Sequence, residues 1–225
     1  MKIIDLSDNQ RNEILHQKVI EITQFLNNGG VLAFKADTVW GLGASAKSII
    51  GINKLRKMKL REKNHPFPAY IDSQETFLKL SDSPWPDFTN ALTKEFWPGY
   101  LTIVLPFKKE AAFLSEAADG LCTLGFRIPK IDYLRSITRQ LNCPLVNTSA
   151  NITGKSTAKS LDEIKLIWPK EQLLIVHKST DTKDVSVPEE LPSTVISINN
   201  SGYTILREGK INSSLLDKVL NVVKK

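Results

Sequence analysis

A polar segment at residues 145–157 carries side chains well suited to holding a ligand. After a short apolar stretch it runs through hydroxyl and amide side chains, among them Ser149 and Asn151, and reaches Lys155. Hydroxyl and amide groups both donate and accept hydrogen bonds, so this run can fix the oxygens of a polar ligand. An ordinary loop that caps a helix beginning near Leu161 explains the same composition. The segment alone leaves both interpretations open.

Two cations far upstream, Lys59 and Arg61, are the apparent counterpart of this segment. On an extended backbone, a spacing of two residues turns both side chains to the same side. Cations placed in this way neutralise charge that builds up on phosphate oxygens. The sequence therefore predicts an anion site assembled from two distant segments.

The residues Gly154-Lys155-Ser156 resemble the end of a P-loop, which wraps phosphates in backbone amides. That motif requires a glycine five residues before Gly154, and Ser149 stands there instead. A tight nest of backbone amides could not form in the same way around a serine. The pattern argues against a true P-loop.

Length and composition indicate a single domain over residues 1–225, and we expect no additional C-terminal domain. The chain has 225 residues, of which 41% are hydrophobic, enough to bury a substantial core. Its formal net charge of +6 favours partners that carry phosphate but is too small to establish nucleic-acid binding. Solvated surface lysines account equally well for most of this charge.

The two cysteines and the start of the chain bear on the cellular compartment. Cys122 and Cys143 stand in apolar, strand-like contexts without the spacing of a zinc site, which predicts core packing in a reducing compartment. The first residues lack the pattern of a signal peptide. No apolar run is long enough to span a bilayer. We therefore expect a cytoplasmic protein without membrane contact.

Hydrophobic periodicity predicts helices alternating with strands, followed by a late hairpin, which indicates a mixed α/β sheet with flanking helices. The loop at Asp37-Thr38 should follow the carboxyl end of a strand, and the glycines of Gly41-Leu42-Gly43 are interpreted as a turn. Residues 180–192 form either a mobile loop near the site or a plain surface connection. The predicted helices are 9–26, 48–58, 131–141 and 215–223, and the predicted strands are 31–34, 67–71, 101–105, 121–126, 144–146, 173–176, 194–198 and 203–206.

Eight motifs, each weak alone, occur in a specific order, and through them nearly the whole chain resembles the YrdC family of threonylcarbamoyl-adenylate synthases. The motifs are Gly29-Gly30-Val31-Leu32-Ala33-Phe34, Asp37-Thr38-Val39-Trp40-Gly41-Leu42-Gly43, Lys59-x-Arg61, Trp97-Pro98-Gly99-x-Leu101-Thr102, Gly125-Phe126-Arg127-Ile128-Pro129, Ser149-x-Asn151, Pro192-Ser193-Thr194-Val195 and Leu206-Arg207-Glu208-Gly209.

This resemblance implies a twisted open mixed sheet with flanking helices and a basic concave face. It also implies a reaction in which L-threonine, bicarbonate and ATP, with Mg²⁺, give threonylcarbamoyl-AMP and pyrophosphate. A downstream tRNA threonylcarbamoyl transferase would use the product to modify adenosine 37 of tRNA.

The resemblance also implies the roles of individual residues, with no metal held by the protein. Lys59 and Arg61 would be catalytic, because they align the reactants and neutralise charge on the phosphate. The nucleotide would contact Lys59, Lys63, Thr123, Ser149, Asn151, Ser193 and Arg207. The threonine substrate would contact Thr38, Arg61, Arg127 and Ser149.

Departures from the family pattern concentrate where the amino acid would bind. Ala36 stands where the family usually has a threonine that touches the substrate, and Tyr70 stands where a histidine is common. Trp40 replaces a tyrosine and is expected to keep an aromatic wall, Tyr100 replaces a proline, and Lys159 replaces a threonine. These changes leave the choice between threonine and another amino acid open.

A YrdC-like paralogue that binds RNA without synthase turnover is the alternative from another class. The net charge and three further lysines near the predicted site, Lys35, Lys155 and Lys159, favour it. Modules that bind single-stranded RNA usually interleave aromatic stacking platforms with basic residues, and this pattern is missing from the sequence. The synthase is therefore the leading hypothesis.

Overall fold

A twisted mixed sheet organises the part of the chain that the computed structural model describes, which is residues 1–6, 12–62, 64–82, 84–171, 173–177, 191–199 and 202–223. Its strands are β1 (Lys2–Asp5), β2 (Val31–Lys35), β3 (Trp40–Ser45), β4 (Ala69–Tyr70), β5 (Leu101–Pro106), β6 (Thr123–Arg127), β7 (Leu145–Ser149), β8 (Leu173–His177), β9 (Thr194–Asn199) and β10 (Gly202–Arg207). Across the sheet these described strands lie in the order β1-β8-β2-β3-β7-β4-β6-β5-β9-β10.

Strands that are neighbours in the sheet are often far apart in the sequence. Four neighbouring pairs are parallel, namely β1 with β8, β8 with β2, β4 with β6, and β5 with β9. The remaining neighbours are antiparallel. The β9–β10 pair is the predicted hairpin, although Asn200 and Ser201 at its turn lie outside the described residues.

Helices cover the sheet and pack on one another. Helix α1 contacts α6, β2 and β3, whereas α2 contacts α5, β2 and β3, and α4 contacts α8. The helices are α1 (Asn12–Asn27), α2 (Ile49–Met58), α3 (Gln74–Leu80), α4 (Phe88–Phe96), α5 (Ser115–Ala118), α6 (Asp132–Leu141), α7 (Leu161–Ile167) and α8 (Ser213–Val223), with a 3-10 helix at Lys109–Leu114. The prediction of an α/β fold with a mixed sheet and flanking helices is confirmed.

The prediction of a turn at Gly41-Leu42-Gly43 is wrong, because these residues lie inside the buried strand β3. A Cβ atom on Gly41 would lie 2.8 Å from the ring of Phe34, and one on Gly43 would lie 3.1 Å from it. The glycines make room for this fully buried ring on the neighbouring strand. Their function is close packing rather than a change of chain direction.

The polar segment at 145–157 also differs from its prediction, since β7 continues through Ser149 instead of ending at Val146. Strand β7 lies in the middle of the sheet between β3 and β4, where Ser149 is opposite Gly41 and Val146 is opposite Ala69. A polar sequence pairs here as a central strand because one of its faces lines a cavity. Composition alone did not reveal this tertiary setting.

Two smaller outcomes concern the cysteines and the membrane. Cys143 is buried, and its Sγ lies 3.3 Å from the Ser45 Oγ, as expected for core packing. The prediction for Cys122 is wrong, because this residue is exposed just before β6 begins. No helix in the described part of the chain is both long and apolar enough to cross a bilayer.

Candidate active site

A cavity of about 320 Å³ opens where several strand ends and loops meet. Its lining carries four cationic side chains and many hydroxyl and amide groups, whereas the described lining residues include no Asp or Glu. The residues that line it are Ala36, Thr38, Val39, Gly41, Lys59, Arg61, His65, Pro68, Tyr70, Thr102, Arg127, Asn147, Thr148, Ser149, Asn151, Thr153, Gly154, Pro192, Ser193 and Arg207. This composition suits a ligand that carries several negative charges.

Lys59 joins the two distant segments that the sequence singled out. Its Nζ donates a hydrogen bond to the carbonyl oxygen of Ser149 at 2.8 Å and another to the Oδ1 of Asn151. The same Oδ1 accepts a hydrogen bond from the Ser149 hydroxyl at 2.7 Å. The carbonyl oxygen of Lys59 in turn accepts bonds from the backbone and hydroxyl of Thr153. The predicted meeting of the segments is present, and anion binding by them stays a prediction.

The geometric reason given for Lys59 and Arg61 is wrong, because the backbone between them is not extended. Lys59 is helical, and Leu60 has a left-handed φ of 48°. The Leu60 amide bonds to the carbonyl of Lys57, and the Arg61 amide bonds to the carbonyl of Arg56, the pattern of a Schellman motif. The turn that ends α2 brings both cations to the cavity.

Burial makes the charge on Lys59 costly. Desolvation, followed by repulsion from Arg61, lowers the pKa of Lys59 from 10.5 to about 8. Its two hydrogen-bond acceptors are neutral, so neither restores the charged form as a carboxylate would. The pKa of Arg61 is also lowered, first by desolvation and then by Arg56. A bound anion would relieve both costs.

The opposite end of the cavity is built around Arg127, which is only 2% exposed. Its guanidinium forms an ion pair with Asp37, donates to the carbonyl oxygen of Gly99 at 2.6 Å, and lies 5.4 Å from the ring centroid of Tyr70. The second carboxylate oxygen of Asp37 accepts the backbone N–H of Lys130 at 2.8 Å. Asp37 therefore holds Arg127 in a fixed orientation.

Tyr70 shares this end with Ala36 and Thr38, and all three are buried. The Tyr70 hydroxyl lies 3.5 Å from an Arg127 nitrogen, and the Thr38 side chain lies nearby. Burial, as the largest cause, raises the pKa of Tyr70, so its hydroxyl remains neutral at physiological pH. A neutral phenol can donate a hydrogen bond to a ligand oxygen.

A third cluster of polar side chains connects β5 to the β9–β10 hairpin. The hydroxyls of Ser193 and Thr102 are 2.9 Å apart, and Arg207 donates to both the hydroxyl and the carbonyl oxygen of Ser193. Burial and then the nearby Arg127 lower the pKa of Arg207. The arrangement fixes a hydroxyl and a cation on one wall of the cavity.

The structure gathers eight of the predicted site residues around this cavity: Thr38, Lys59, Arg61, Arg127, Ser149, Asn151, Ser193 and Arg207. It does not place Thr123 there. Thr123 begins β6 and Arg127 ends it, so at about 3.3 Å per residue the two lie roughly 13 Å apart. Thr102, on the neighbouring strand, lines the cavity instead. Lys63 lies outside the described residues, and so does most of the predicted loop, although Pro192 lines the cavity.

Some of the residues that depart from the family pattern line the cavity, and others do not. Ala36 and Tyr70 line the cavity, whereas Trp40 does not, so the expectation that Trp40 forms an aromatic wall is wrong. Alternation along β3 turns Gly41 to the cavity and the buried Trp40 to the other face. Among the described residues, Lys35, Lys155 and Lys159 are not part of the lining.

Asp37 and Thr102 are among the residues of the site that sequence reasoning missed. Both belong to motifs that were recognised, and an acidic residue directly after a buried strand was the available signal for Asp37. The partner of Asp37 is 90 residues away, at Arg127, and no local pattern points to it. The register of β5 against β6 likewise decides that Thr102 lies near Arg127.

The structure thus combines a mixed α/β sheet with a basic cavity whose described lining holds no carboxylate. The chain belongs to the Sua5/YciO/YrdC family, whose model, with the description telomere recombination, matches residues 24–209. The resemblance found in the sequence motifs is thereby confirmed.

Curated relatives and solved structures agree with this membership. The chain is 28% identical over 206 residues to the threonylcarbamoyl-AMP synthase of Bacillus subtilis, a match that covers 92% of this chain and 57% of the relative. The enzyme of the same name from Pyrococcus abyssi is 28% identical over 217 residues, covering 96% of this chain and 61% of the relative. The chain thus spans about three fifths of the length of these relatives.

A solved structure of P. abyssi Sua5 in complex with L-threonine matches with a TM-score of 0.83 and 26% identity, covering 98% of this chain and 61% of that one. Escherichia coli YciO matches with a TM-score of 0.75 over 96% of this chain and 98% of its own. At 22% identity, this second match shows the fold alone.

Proposed function

We propose that the protein forms threonylcarbamoyl-AMP and pyrophosphate from L-threonine, bicarbonate and ATP. The observation that carries this proposal is the cavity itself, in which Lys59, Arg61, Arg127 and Arg207 meet without a carboxylate in the described lining. A triphosphate and an amino acid that carries a carboxylate and a carbamate would supply the missing negative charge. The names of the relatives and the threonine complex of P. abyssi Sua5 support the choice of substrates.

The chemistry fits a site without a protein nucleophile. The threonine amine captures bicarbonate to give an N-carboxylate and water, and an oxygen of this carbamate attacks the α-phosphorus of ATP. A bond from phosphorus to the carbamate oxygen forms as the bond to pyrophosphate breaks, and pyrophosphate leaves with the bonding electrons. The protein has to align the reactants and stabilise negative charge, a contribution worth about 7 to 11 kcal/mol in well-oriented reactions.

Lys59 and Arg61 would face the phosphates in this scheme, while Ser149 and Asn151 would fix the position of the nucleotide. Lys59 is already fixed by Ser149 and Asn151, so it needs little reorganisation when the ligand arrives. The positive charges would stabilise the phosphate oxygens as the leaving pyrophosphate takes up charge. We assign no proton transfer to either residue.

Arg127 would take the carboxylate of the amino acid at the other end, with Thr38 and Tyr70 beside it. Ala36 leaves space there in place of the threonine side chain that is usual in the family. The identity of the amino acid therefore depends on this small group of residues.

Magnesium would enter with ATP as the counter-ion of its phosphates. Proteins usually hold Mg²⁺ through one or two carboxylates together with the substrate phosphates. The described residues that line the cavity offer hydroxyl and amide oxygens but no carboxylate. We therefore assign the ion to the ATP substrate rather than to a binding site made by the protein.

The product would pass to a tRNA threonylcarbamoyl transferase for modification of adenosine 37. Direct RNA binding without turnover is less well supported by the surface. The most exposed large apolar residues of the described chain are aliphatic, so an exposed aromatic platform for stacking bases is missing from them. The lysines that suggested RNA binding lie outside the described cavity lining.

Pyrophosphate release from ATP tests the proposal directly. We expect release that requires both threonine and bicarbonate, with threonylcarbamoyl-AMP detected by mass spectrometry. Lys57→Met is a suitable control, because Lys57 is an exposed cation at the end of α2 outside the cavity and its loss should leave the rate unchanged. If tRNA binds tightly while ATP, threonine and bicarbonate yield no product, the RNA-binding alternative is correct.

A further inference from the structure

The guanidinium groups of two arginines, Arg61 and Arg56, lie close to the aromatic ring of Phe67. The guanidinium carbon of Arg61 lies 4.7 Å from the ring centroid, and that of Arg56 lies 5.1 Å from it. Cations at this distance are attracted by the negative face of an aromatic ring. Two like charges on one ring also repel each other, so their other partners decide what each arginine can do.

Arg56 has partners that neutralise it. Its guanidinium donates to the carboxylate of Asp119 at 3.0 Å and to the carbonyl oxygen of Glu116 at 3.2 Å. The guanidinium of Arg61, in contrast, has no hydrogen bond or ion pair with a residue that the structure describes. Arg61 faces the cavity, whereas Arg56 is not part of the described lining. Of the two cations, only Arg61 is available to a ligand.

The ring of Phe67 is held firmly in place. Its side chain is fully buried, and its backbone N–H donates to the carbonyl oxygen of Ala117 at 2.9 Å. Two residues earlier, the N–H of His65 donates to the Asp119 carboxylate at 2.9 Å. Asp119 thus binds Arg56 and the segment that leads to Phe67. The ring can act as a fixed support because its backbone is anchored on the end of α5.

We propose that Phe67 is a positioning residue for Arg61, holding its guanidinium at the phosphate end of the cavity while Asp119 holds Arg56 away. This proposal rests on the proposed function only in naming the ligand group as phosphate. A guanidinium can contact an aromatic ring and still use its N–H groups to bind phosphate oxygens. Phe67 does not line the cavity itself, so its effect on a ligand must pass through Arg61.

A double-mutant cycle between Phe67 and Arg61 tests this coupling, with pyrophosphate binding measured by calorimetry. Phe67→Leu should weaken pyrophosphate binding between about 2-fold and 30-fold, the range expected for one cation–π contact. In an Arg61→Gln background, the same substitution should have no further effect. Adenosine, which carries no phosphate, should bind equally well to the protein with and without Phe67→Leu.

Phe77→Leu is the matched control, because Phe77 is another fully buried phenylalanine. Its ring contacts Trp85, Trp97 and Phe126, none of which lines the cavity. It should lower the melting temperature as Phe67→Leu does but leave pyrophosphate affinity unchanged. If Phe67→Leu does not fold, Phe67→Met replaces it in the cycle, because methionine fills a similar space without an aromatic ring.

An equal loss of affinity from Phe67→Leu with and without Arg61 would overturn the proposal, and so would a loss of adenosine binding as large as that of pyrophosphate. Absence of pyrophosphate binding to the unmodified protein would also refute it. Failure of the proposed function looks different. In that case pyrophosphate binding and its coupling persist, while threonine and bicarbonate produce no threonylcarbamoyl-AMP.

Discussion

The two ends of the cavity hold their cations by different means. At one end, Lys59 is bound by a backbone carbonyl and an amide oxygen, and Arg61 lies on an aromatic ring. These partners are all uncharged. At the other end, Arg127 is paired directly with the carboxylate of Asp37.

Because of this difference, the Lys59 end of the cavity keeps a net positive charge, whereas the Arg127 end offers a fixed donor whose charge is already paired. The direct partners of Lys59 and Arg61 are neutral, and burial lowers the pKa of both, although the nearby Asp119 carboxylate partly offsets this for Arg61. A ligand with several negative charges gains most at that end. The ion pair at the other end has already compensated its charge, so Arg127 contributes mainly direction, as a fixed donor for one carboxylate.

Asp37→Asn should produce the largest loss of stability, because it leaves the Arg127 guanidinium buried without a counter-charge. Breaking a buried pair in this way costs about 3 to 5 kcal/mol in the free energy of unfolding. Denaturant titration measures it. Asp132→Asn is the control, since Asp132 pairs with Arg135 at an exposed position and should cost less than about 1 kcal/mol. Equal costs for the two variants would show that the Asp37–Arg127 pair is not structurally important.

Lys59→Met should cut product formation by about 100- to 1,000-fold, as expected when a charge-stabilising donor is removed. Methionine keeps much of the buried stem but removes the costly charge, so the melting temperature should be maintained or should rise. Lys59 is only 3% exposed, so this substitution removes a buried charge. Steady-state kinetics and thermal unfolding measure the two effects. Turnover close to that of the unmodified protein would contradict the role of Lys59.

With rising pH, the Lys59 contribution to the free energy of unfolding should increase, whereas ATP affinity should decrease. Lys59 has a pKa of about 8 in the folded protein and an ordinary value of 10.5. Between these values the unfolded chain binds more protons, so the contribution of Lys59 to the free energy of unfolding rises with pH. ATP affinity should fall over the same range as the ammonium loses its proton.

Other groups also titrate in this range. The informative quantities are therefore the differences in ATP affinity and in the free energy of unfolding between the unmodified protein and Lys59→Met at each pH. Calorimetric titration with ATP and denaturant unfolding from pH 7 to pH 10 provide them. If the two proteins show the same pH dependence of ATP affinity, the lowered pKa of Lys59 has no part in binding.

Ala36→Thr should have the smallest effect and should act only at the amino-acid end. The added hydroxyl is expected to lower the Michaelis constant for threonine by up to about tenfold, equivalent to one hydrogen bond of about 0.5 to 1.5 kcal/mol, with little change for ATP. Ala36→Val is the control, because valine has the shape of threonine without the hydroxyl. Loss of activity in both variants would instead indicate a pocket built around alanine and a substrate other than threonine.

Residue types and their short spacings were enough to predict much of the local structure and many of the candidate site residues. Hydrophobic periodicity located α1, α2, α6, α8 and the final hairpin, because apolar residues recur in them near the period of a helix or a strand. The collinear motifs identified the family and named eight residues that line the cavity. These features depend on residue type and short spacing, which can be read without the fold.

Only the tertiary structure decided which of these residues meet. Lys59 and Asn151 are 92 positions apart, and Asp37 and Arg127 are 90 apart, so their contacts depend on strand order rather than on local pattern. The same non-local pairing keeps Thr123 away from the cavity and brings Thr102 to it. Strand order and register are set by the packing of the whole sheet, and neighbouring residues carry too little information to fix them.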